Sequence, residues 1–256
     1  MARSPSESQK SAAKSVKSAV SINGHVVHNR ILLALSGKES AALFSKLEFV
    51  VLPVRTVLNE VDKPIKFAFF MNDGLASVLS MTSSEKSVEV GLCGKEGFIG
   101  QPLAAGLATS PTQVIMQVAG SGFRITAKHL LAILADDSAL AIALQRFGQE
   151  MALQSSQGAA CNRLHEVDQR LARWLLMSQD RLDGCLVPLT QEFLAHMLGT
   201  RRASVTVAAG ILQKAGLITY KRGSVNIEDR DELEKACCEC YGISIRQVKT
   251  WHAEAS

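Results

Sequence analysis

Two adjacent arginines, Arg201 and Arg202, stand at the start of a segment with helical periodicity. An arginine side chain can form a bidentate pair with a guanine edge or with phosphate oxygens. Ser204, two residues later, can donate a hydrogen bond to a phosphate. On an ordinary helix such a pair is a solvated surface feature, so the surrounding elements must decide between that interpretation and nucleic-acid binding.

The residues around the pair predict two short helices joined by a tight turn over 189–218. Thr190 can cap the first helix, and the polar side chain of Gln191 suits its first turn. Gly199 can adopt the left-handed dihedrals that end this helix, and we predict that Thr200 caps the second. Two helices joined so closely must cross steeply, which is typical of a helix-turn-helix.

The second helix has a clear division between its two faces. Val205, Ala208, Ala209 and Leu212 follow the spacing i, i+3, i+4 and i+7, which predicts a buried face. The opposite face carries mostly small side chains behind the arginine pair, which suits a major groove about 12 Å wide. The predicted DNA-binding residues of the two helices are Thr190, Gln191, Thr200, Arg201, Arg202, Ala203, Ser204 and Thr206.

A basic hairpin is predicted directly after the second helix, with strands at 217–220 and 224–227. Gly223 permits its tight turn. Lys221 and Arg222 at the tip suit a phosphate backbone, although a solvated hairpin tip has the same composition. We therefore add Lys221 and Arg222 to the predicted DNA-binding residues.

The segment 162–227 resembles the winged-helix output domain of the Crp/Fnr family of bacterial transcription regulators. The likeness rests on the predicted helix at 163–176, on the segment 188–192 and the two helices of the helix-turn-helix, and on the apolar residues that lead into the hairpin. The resemblance implies a homodimer that binds double-stranded DNA at a near-palindromic operator, with RNA polymerase as a further candidate partner.

Alignment through Gly199 implies roles for single residues of the second helix. The family's main base-reading arginine falls on Arg202, and its phosphate-contacting hydroxyl falls on Ser204. The best-known members carry a glutamate where this chain has Ala203 and a second arginine where it has Val207. A carboxylate can accept from cytosine and an arginine can pair with guanine, so we expect a different operator sequence.

Short apolar runs separated by turn residues extend from 47 to 126 and predict a barrel or jelly roll. Within this region, 87–103 resembles the effector-sensing β-roll of the same family. The family's cyclic-nucleotide binders hold the phosphate with a Gly-Glu step and a later arginine. Here Gln101 follows Gly100, and no arginine occurs between Gln101 and Gly122. We predict that cyclic AMP is not the effector; another small molecule, or a purely structural roll, are the alternatives.

A long helix is predicted between the roll and the output domain. Leu140, Leu144, Phe147 and Met151 recur at spacings of four, three and four residues. This pattern predicts a coiled-coil seam at which the helix pairs with its copy in a second subunit, and packing on its own roll is the alternative. We expect effector control to act through the hinge at 161–166, because a change there alters the alignment of the two recognition helices.

Six cysteines raise the question of a metal or redox site. Cys237 and Cys240 share a helix face, and thiolates at this spacing can bind zinc or a cluster. However, His252 and Cys185 are distant, and the family's iron–sulfur sensors use cysteines near the N-terminus that this chain lacks. We predict reduced, partly buried thiols, no metal site and no cofactor. The histidines predicted to be packing or surface groups are His129, His165 and His196.

The composition allows two domains and sets limits on function. The 256 residues can form two cores, and the net charge of +4 is modest. Between 163 and 222, nine Lys or Arg stand against five Asp or Glu, a mild basic bias that suits DNA binding. No membrane-length apolar run and no secretory signal core occur, so we expect a cytoplasmic protein without a membrane partner.

An enzyme is the rival class, although no nucleophile with a base, paired-carboxylate site or phosphate loop is evident. It would be a nucleotide- or metabolite-binding enzyme or signalling protein that uses its winged helix for protein or RNA contacts. The patterns together favour a non-enzymatic α+β protein with an N-terminal, jelly-roll-like β-roll sensor domain, a long dimerisation helix and a C-terminal winged helix-turn-helix domain. The predicted boundaries are 1–27 for a flexible tail, 28–134 for the roll, 135–161 for the dimerisation helix, 162–235 for the DNA-binding domain and 236–256 for a C-terminal extension.

Overall fold

The computed structural model describes residues 20–35, 37–82, 87–136, 138–182, 184, 186–188, 190–221 and 223–254, with the backbone alone at 37–39. The N-terminal elements are β1 (Ser21–Ile22), β2 (His25–Val26), α1 (Arg30–Ala34), α2 (Gly37–Phe44), β3 (Glu48–Leu52), β4 (Val57–Asn59), β5 (Phe67–Met71), β6 (Leu75–Met81), β7 (Ser87–Cys93), β8 (Phe98–Ile99), α3 (Gln101–Ala104), β9 (Thr112–Val118), β10 (Gly120–Thr126) and α4 (Ala127–Asp136). The later elements are α5 (Ser138–Leu164), α6 (Val167–Gln179), β11 (Leu186–Val187), α7 (Gln191–Met197), α8 (Arg202–Lys214), β12 (Ile218–Lys221), β13 (Ser224–Ile227), α9 (Arg230–Ala236) and α10 (Cys240–Glu254).

The N-terminal domain is a roll of two antiparallel four-stranded sheets, ordered β3-β10-β5-β8 and β4-β9-β6-β7. Phe70, Phe98 and Phe123 are fully buried in its core. At the turn between β5 and β6, Gly74 has a φ of +79°, and a Cβ there would lie 2.8 Å from the Cα of Gly120. Only glycine fits this close approach. The predicted jelly-roll-like domain is confirmed.

The long helix α5 packs its apolar face on the roll of its own chain. Leu140, Leu144 and Phe147 are almost fully buried, and Met151 is 9% exposed. The ring of Phe147 occupies the space where a Cβ on Gly97 would stand, with Cζ only 2.0 Å from that position. The prediction that these four residues form the dimer seam is therefore wrong, because glycine and apolar positions of the roll already cover them. The alternative, a helix packed on its own roll, is confirmed.

The output domain shares a core with one sheet of the roll. Leu75, Leu79 and Leu92 of that sheet join the cluster that contains the apolar faces of α6, α7 and α8. At this junction the indole Nε1 of Trp174 donates to Glu89 Oε1 at 2.7 Å. The two domains are thus joined by a packed interface as well as by α5.

The ordered N-terminal region begins earlier than predicted. Residues 20–27, which we placed in a flexible tail, contain the hairpin β1–β2, and Ile22 and Val27 are buried. The side chain of Asn29 caps α1 and donates to two carbonyls of the roll at 2.8 Å. Short alternating segments of this kind give little periodic signal, so the sequence did not reveal them. The remainder of the predicted tail, 1–19, lies outside the described residues.

The predicted C-terminal extension, 236–256, contains α10, which packs on α5 and α6. His252 Nε2 lies 2.7 Å from Glu150 Oε1 on α5, and the Tyr241 hydroxyl donates to Asp180 at 3.0 Å. The extension is therefore part of the packed fold. None of the described helices combines the length and the apolar composition needed to cross a membrane.

Candidate nucleic-acid interface

Backbone hydrogen bonds close the turn between α7 and α8. Gly199 has a φ of +58°, as the sequence predicted. Its amide donates to the carbonyl of His196 at 3.1 Å, and the amide of Thr200 donates to the carbonyl of Ala195 at 2.9 Å. This pair of bonds is a Schellman motif, which requires a left-handed residue at the position of Gly199. The turn therefore fixes how α7 and α8 cross.

The second helix starts one residue later than predicted. Its N-cap is Arg201, which makes no side-chain cap bond, rather than Thr200. The carbonyl of Arg201 accepts from the amides of Ser204 at 2.9 Å and Val205 at 3.2 Å. Thr200 cannot cap this helix because its backbone belongs to the turn that closes α7. Arg202 consequently becomes the first helical residue, at the end where backbone N–H groups favour a phosphate.

The two faces of α8 divide as the periodicity predicted. Val205, Ala208, Ala209 and Leu212 are buried in the domain core. Val207 is 64% exposed on the opposite face. The exposed residues of this face and of the helix start are Arg201, Arg202, Ala203, Thr206, Val207 and Gly210. The face presents two long cationic side chains at one end and short side chains behind them.

The start of α7 is held against this face. Thr190 caps α7, as predicted, with its hydroxyl accepting from the amide of Phe193 at 3.2 Å. The hydroxyl of Thr206 lies 2.9 Å from Gln191 Oε1 and 3.0 Å from the carbonyl oxygen of Arg202. These contacts align Gln191 with the exposed face of α8, so both helices contribute to one surface.

The basic hairpin stands beside the start of α7. Its strands pair Lys221 with Ser224, and β13 also pairs with β11. A Cβ placed on Gly223 would lie 3.6 Å from Thr190 Cγ2, which locates the tip. Lys221 is exposed, and Arg222 lies outside the described residues. The predicted hairpin is confirmed, with its first strand shifted by one residue to 218–221.

Electrostatic coupling joins the hairpin to the start of α8. Burial raises the pKa of Tyr220 on β12, while the charge of Arg202 opposes that shift. The backbone amide of Tyr220 donates to Gln213 Oε1 at 2.8 Å. Arg202 therefore lies within electrostatic reach of the first strand of the hairpin.

A cavity of about 230 Å³ lies between the roll and α5. Its described lining residues are uncharged, and several polar ones already have partners within the chain. Asn59 donates to the carbonyl of Thr112 at 2.9 Å, Ser110 and Thr112 share a hydrogen bond of 2.8 Å, and Ser155 donates to the carbonyl of Val90 at 2.8 Å. Gln101 likewise donates to the carbonyl of Phe98 at 2.9 Å. The described part of the cavity wall thus offers no cation to a phosphate.

A second group of side chains was missed by the sequence reasoning. Cys161, in the last turn of α5, and His165, just after this helix, meet Cys238 and Cys240 near the start of α10. A hydrogen bond from Cys238 lowers the pKa of Cys161 to about 5. The prediction that Cys237 and Cys240 share a helix face without a further ligand nearby is wrong. Cys237 ends α9 and lies outside the group, and the fold brings Cys240 together with donors from a distant part of the chain. The spacing of Cys161 and His165, one helical turn, was the available signal.

The family described as the Crp-like helix-turn-helix domain matches residues 169–236. A protein from Eubacterium rectale assigned to the crp/fnr family of transcriptional regulators has a similar structure, with a TM-score of 0.64, 14% identity, and coverage of 82% of this chain and 98% of that chain. The c-di-GMP responsive global regulator CLP of Xanthomonas campestris has a TM-score of 0.60 and 16% identity, with coverage of 75% of this chain and 98% of that chain. A transcriptional regulator of the CRP family from Thermus thermophilus has a TM-score of 0.60 and 18% identity, with coverage of 73% of this chain and 95% of that chain. A search of curated proteins found no match. The chain therefore has a Crp-like helix-turn-helix domain and the fold of the Crp/Fnr transcription regulators.

Proposed function

We propose that this protein regulates transcription by binding a near-palindromic operator as a homodimer, with α8 in the major groove. The exposed face of α8, with Arg202 as its first helical residue, is the observation that carries the proposal. A groove-reading helix needs long donors at its N-terminal end and short side chains where it approaches the bases. The face has both.

Base recognition would combine one arginine with small apolar contacts. Arg202 can form a bidentate pair with a guanine. Ala203 and Gly210 let the helix come close, and the exposed methyl groups of Val207 can contact thymine methyl groups. An operator read in this way differs from one that also needs a glutamate and a second arginine.

Phosphate contacts would come from the residues around the groove face. Arg201 and Ser204 lie at the start of α8, Thr190 and Gln191 at the start of α7, and Lys221 on the hairpin. Such contacts fix the register of the protein on DNA without reading sequence. They also make binding weaken as salt rises.

Dimerisation would use the exposed face of α5, since the apolar face is occupied by the roll. The exposed residues Ile142, Gln145, Gln149, Ala152 and Ser156 follow spacings of three, four, three and four. This is the spacing of a coiled-coil seam. Its small residues allow close approach, and its glutamines can set the register at some expense of stability.

The uncharged cavity supports regulation without cyclic AMP. Buried phosphates are typically held by a cationic side chain, and the described lining residues include none. A large thermal shift of the protein with cyclic AMP would contradict this part of the proposal.

Selection of bound fragments from random DNA tests the main proposal. We expect a near-palindromic sequence for the wild type, and loss of one base preference in each half-site for Arg202→Ala. Lys249→Ala, an exposed change on α10, is the matched control and should keep the wild-type sequence. Absence of any enriched palindrome at moderate salt would reject the proposal.

A further inference from the structure

We propose that Cys161, His165, Cys238 and Cys240 bind one zinc ion. Their four ligand atoms all lie within 4.8 Å of one another. The Sγ atoms of Cys161 and Cys238 are 3.4 Å apart, and Cys240 Sγ lies 3.6 Å from His165 Nδ1. All three cysteines are buried, so the donors face one another rather than solvent.

The separations match those around a single tetrahedral ion. Zn–S bonds of about 2.3 Å and Zn–N bonds of about 2.0 to 2.1 Å place neighbouring sulfurs roughly 3.8 Å apart and a sulfur and a nitrogen roughly 3.6 Å apart. Small movements of the side chains would complete the coordination. Four donors so close together suit one ion better than a two-iron cluster, whose ligands are divided between two metals.

The outer nitrogen of His165 already has the partner that a metal-bound histidine needs. His165 Nε2 lies 3.2 Å from one carboxylate oxygen of Glu239 and 3.1 Å from the other. A donor bond from Nε2–H to this carboxylate leaves the lone pair of Nδ1 directed at the three sulfurs. Such carboxylate–histidine pairs orient the ring and raise its affinity for a metal.

Two buried arginines supply charge compensation for a thiolate-rich site. Three thiolates with one Zn²⁺ carry a net negative charge. Arg170 and Arg173 are 7% and 8% exposed, their Nε atoms have no hydrogen-bond partner in the described structure, and neither forms a salt bridge with a described carboxylate. Burial lowers the pKa of Arg170, while the charges of Cys161 and Cys238 counteract that effect, so these groups lie within electrostatic reach. Burying a cation is costly, and an anionic metal site within reach would lower that cost.

The ion would clamp the segment that connects the two domains. Cys161 lies at the end of α5, His165 lies in the connection to α6, and the other two ligands lie on either side of the turn into α10. Arg170 also donates to the carbonyl of Leu198 at the end of α7, which links the site to the helix-turn-helix. A closed set of four protein ligands is typical of structural zinc, so the expected role is to hold the hinge in one arrangement.

Metal analysis of the full-length protein without an affinity tag tests the site. We expect one zinc per chain in the wild type and in Cys237→Ser, whose thiol donates to the carbonyl of Glu234 and lies outside the group. Cys238→Ser should lose the zinc. A chelator should lower the melting temperature of the wild type and of Cys237→Ser but leave Cys238→Ser unchanged. Equal zinc contents in Cys238→Ser and the wild type, or no zinc in any of them, would overturn the proposal.

Cobalt substitution provides the second readout, because Cys238→Ser could fail to fold. Wild-type protein reconstituted with Co²⁺ should show the visible absorption of a tetrahedral site with three sulfurs and one nitrogen. His165→Cys should keep the metal and shift these bands towards those of a four-sulfur site, and Glu239→Gln should weaken zinc binding by about tenfold. Unshifted bands in His165→Cys, a disulfide between Cys161 and Cys238 in place of bound metal, or an iron–sulfur chromophore in the purified protein would contradict the assignment.

Discussion

The recognition helix α8 and the long helix α5 carry similar apolar stripes, yet they use them in different ways. In α8 the stripe packs on α6 and α7 of the same domain, and the opposite face, which we propose binds DNA, is exposed. In α5 the stripe that we expected at a subunit interface packs on α3, α4 and β7 of its own roll. Periodicity identifies which side chains are buried but does not identify the surface that buries them.

Removal of a buried ring from α5 is expected to have the largest effect. Phe147→Ala should reduce the free energy of unfolding by about 3 to 5 kcal/mol, because the ring fills the roll beside Gly97. Lys128→Ala, at an exposed position of α4 outside the proposed dimer face, should change it by no more than about 0.5 kcal/mol. Denaturant unfolding at two protein concentrations measures both. If Phe147 instead formed a subunit seam, the decrease in unfolding free energy caused by Phe147→Ala would depend on protein concentration. The variant would then remain folded as a monomer.

The two glycines that face α5 should differ in their tolerance of a methyl group. A Cβ on Gly97 would lie 2.0 Å from Phe147 Cζ, whereas a Cβ on Gly91 would lie 2.4 Å from the Met151 methyl group. A ring cannot bend away, but the end of a methionine can turn. Gly97→Ala should therefore lower the free energy of unfolding by about 1 to 3 kcal/mol, and Gly91→Ala should lower it by less. Thermal unfolding compares them, and equal losses would contradict the packing described for α5.

A charge on the exposed face of α5 should weaken dimerisation. Ala152→Lys would place like charges opposite each other across the two-fold axis, so we expect the dimer dissociation constant to rise about tenfold. Ala132→Lys, at an exposed position of α4, is the matched control and should leave it unchanged. Sedimentation over a concentration series measures the constant. An unchanged dissociation constant for Ala152→Lys would show that the subunits pair through another surface.

The smallest effect is expected at the junction between the roll and α6. Burial raises the pKa of Glu89 to about 7, against the hydrogen bonds from Ser77 and Trp174 and the charges of Arg173 and Arg181. Because the folded-state pKa lies above the unfolded value, this group's contribution to stability is complete below about pH 4.3 and is lost as the pH rises through 7. Glu89 keeps some exposure, so solvent screening limits the size of the change.

Glu89→Gln isolates that contribution. Unfolding free energies measured between pH 5 and pH 8 should fall with pH in the wild type and fall less in the variant. Parallel curves for the two proteins would show that the carboxyl group does not titrate in this range.

Local patterns predicted much of the DNA-binding module. The turn at Gly199, the cap at Thr190 and the buried face from Val205 to Leu212 each depend on neighbouring residues, so the sequence contained the information. The cap at Arg201 was not predicted, because the backbone amide of Thr200 is used in the turn that ends α7. Helical periodicity does not indicate which of two adjacent motifs uses a given residue.

Long-range packing accounts for the larger errors. The partner of Phe147 is a glycine fifty residues earlier, and Cys161 meets Cys238 only because α10 folds back on α5. Neither contact has a local signature. The hairpin at 21–26 was missed for a related reason, because two-residue strands are too short to show alternation.

The most direct test of the proposed function is a double-mutant cycle between Arg202 and the operator. Each guanine of the selected half-site is replaced in turn by 7-deazaguanine, which lacks the N7 acceptor, and binding is measured at fixed salt for the wild type and for Arg202→Ala. We expect one guanine at which the wild type loses about 1 to 3 kcal/mol of binding free energy and Arg202→Ala loses nothing further. Equal losses in both proteins at every guanine would contradict it.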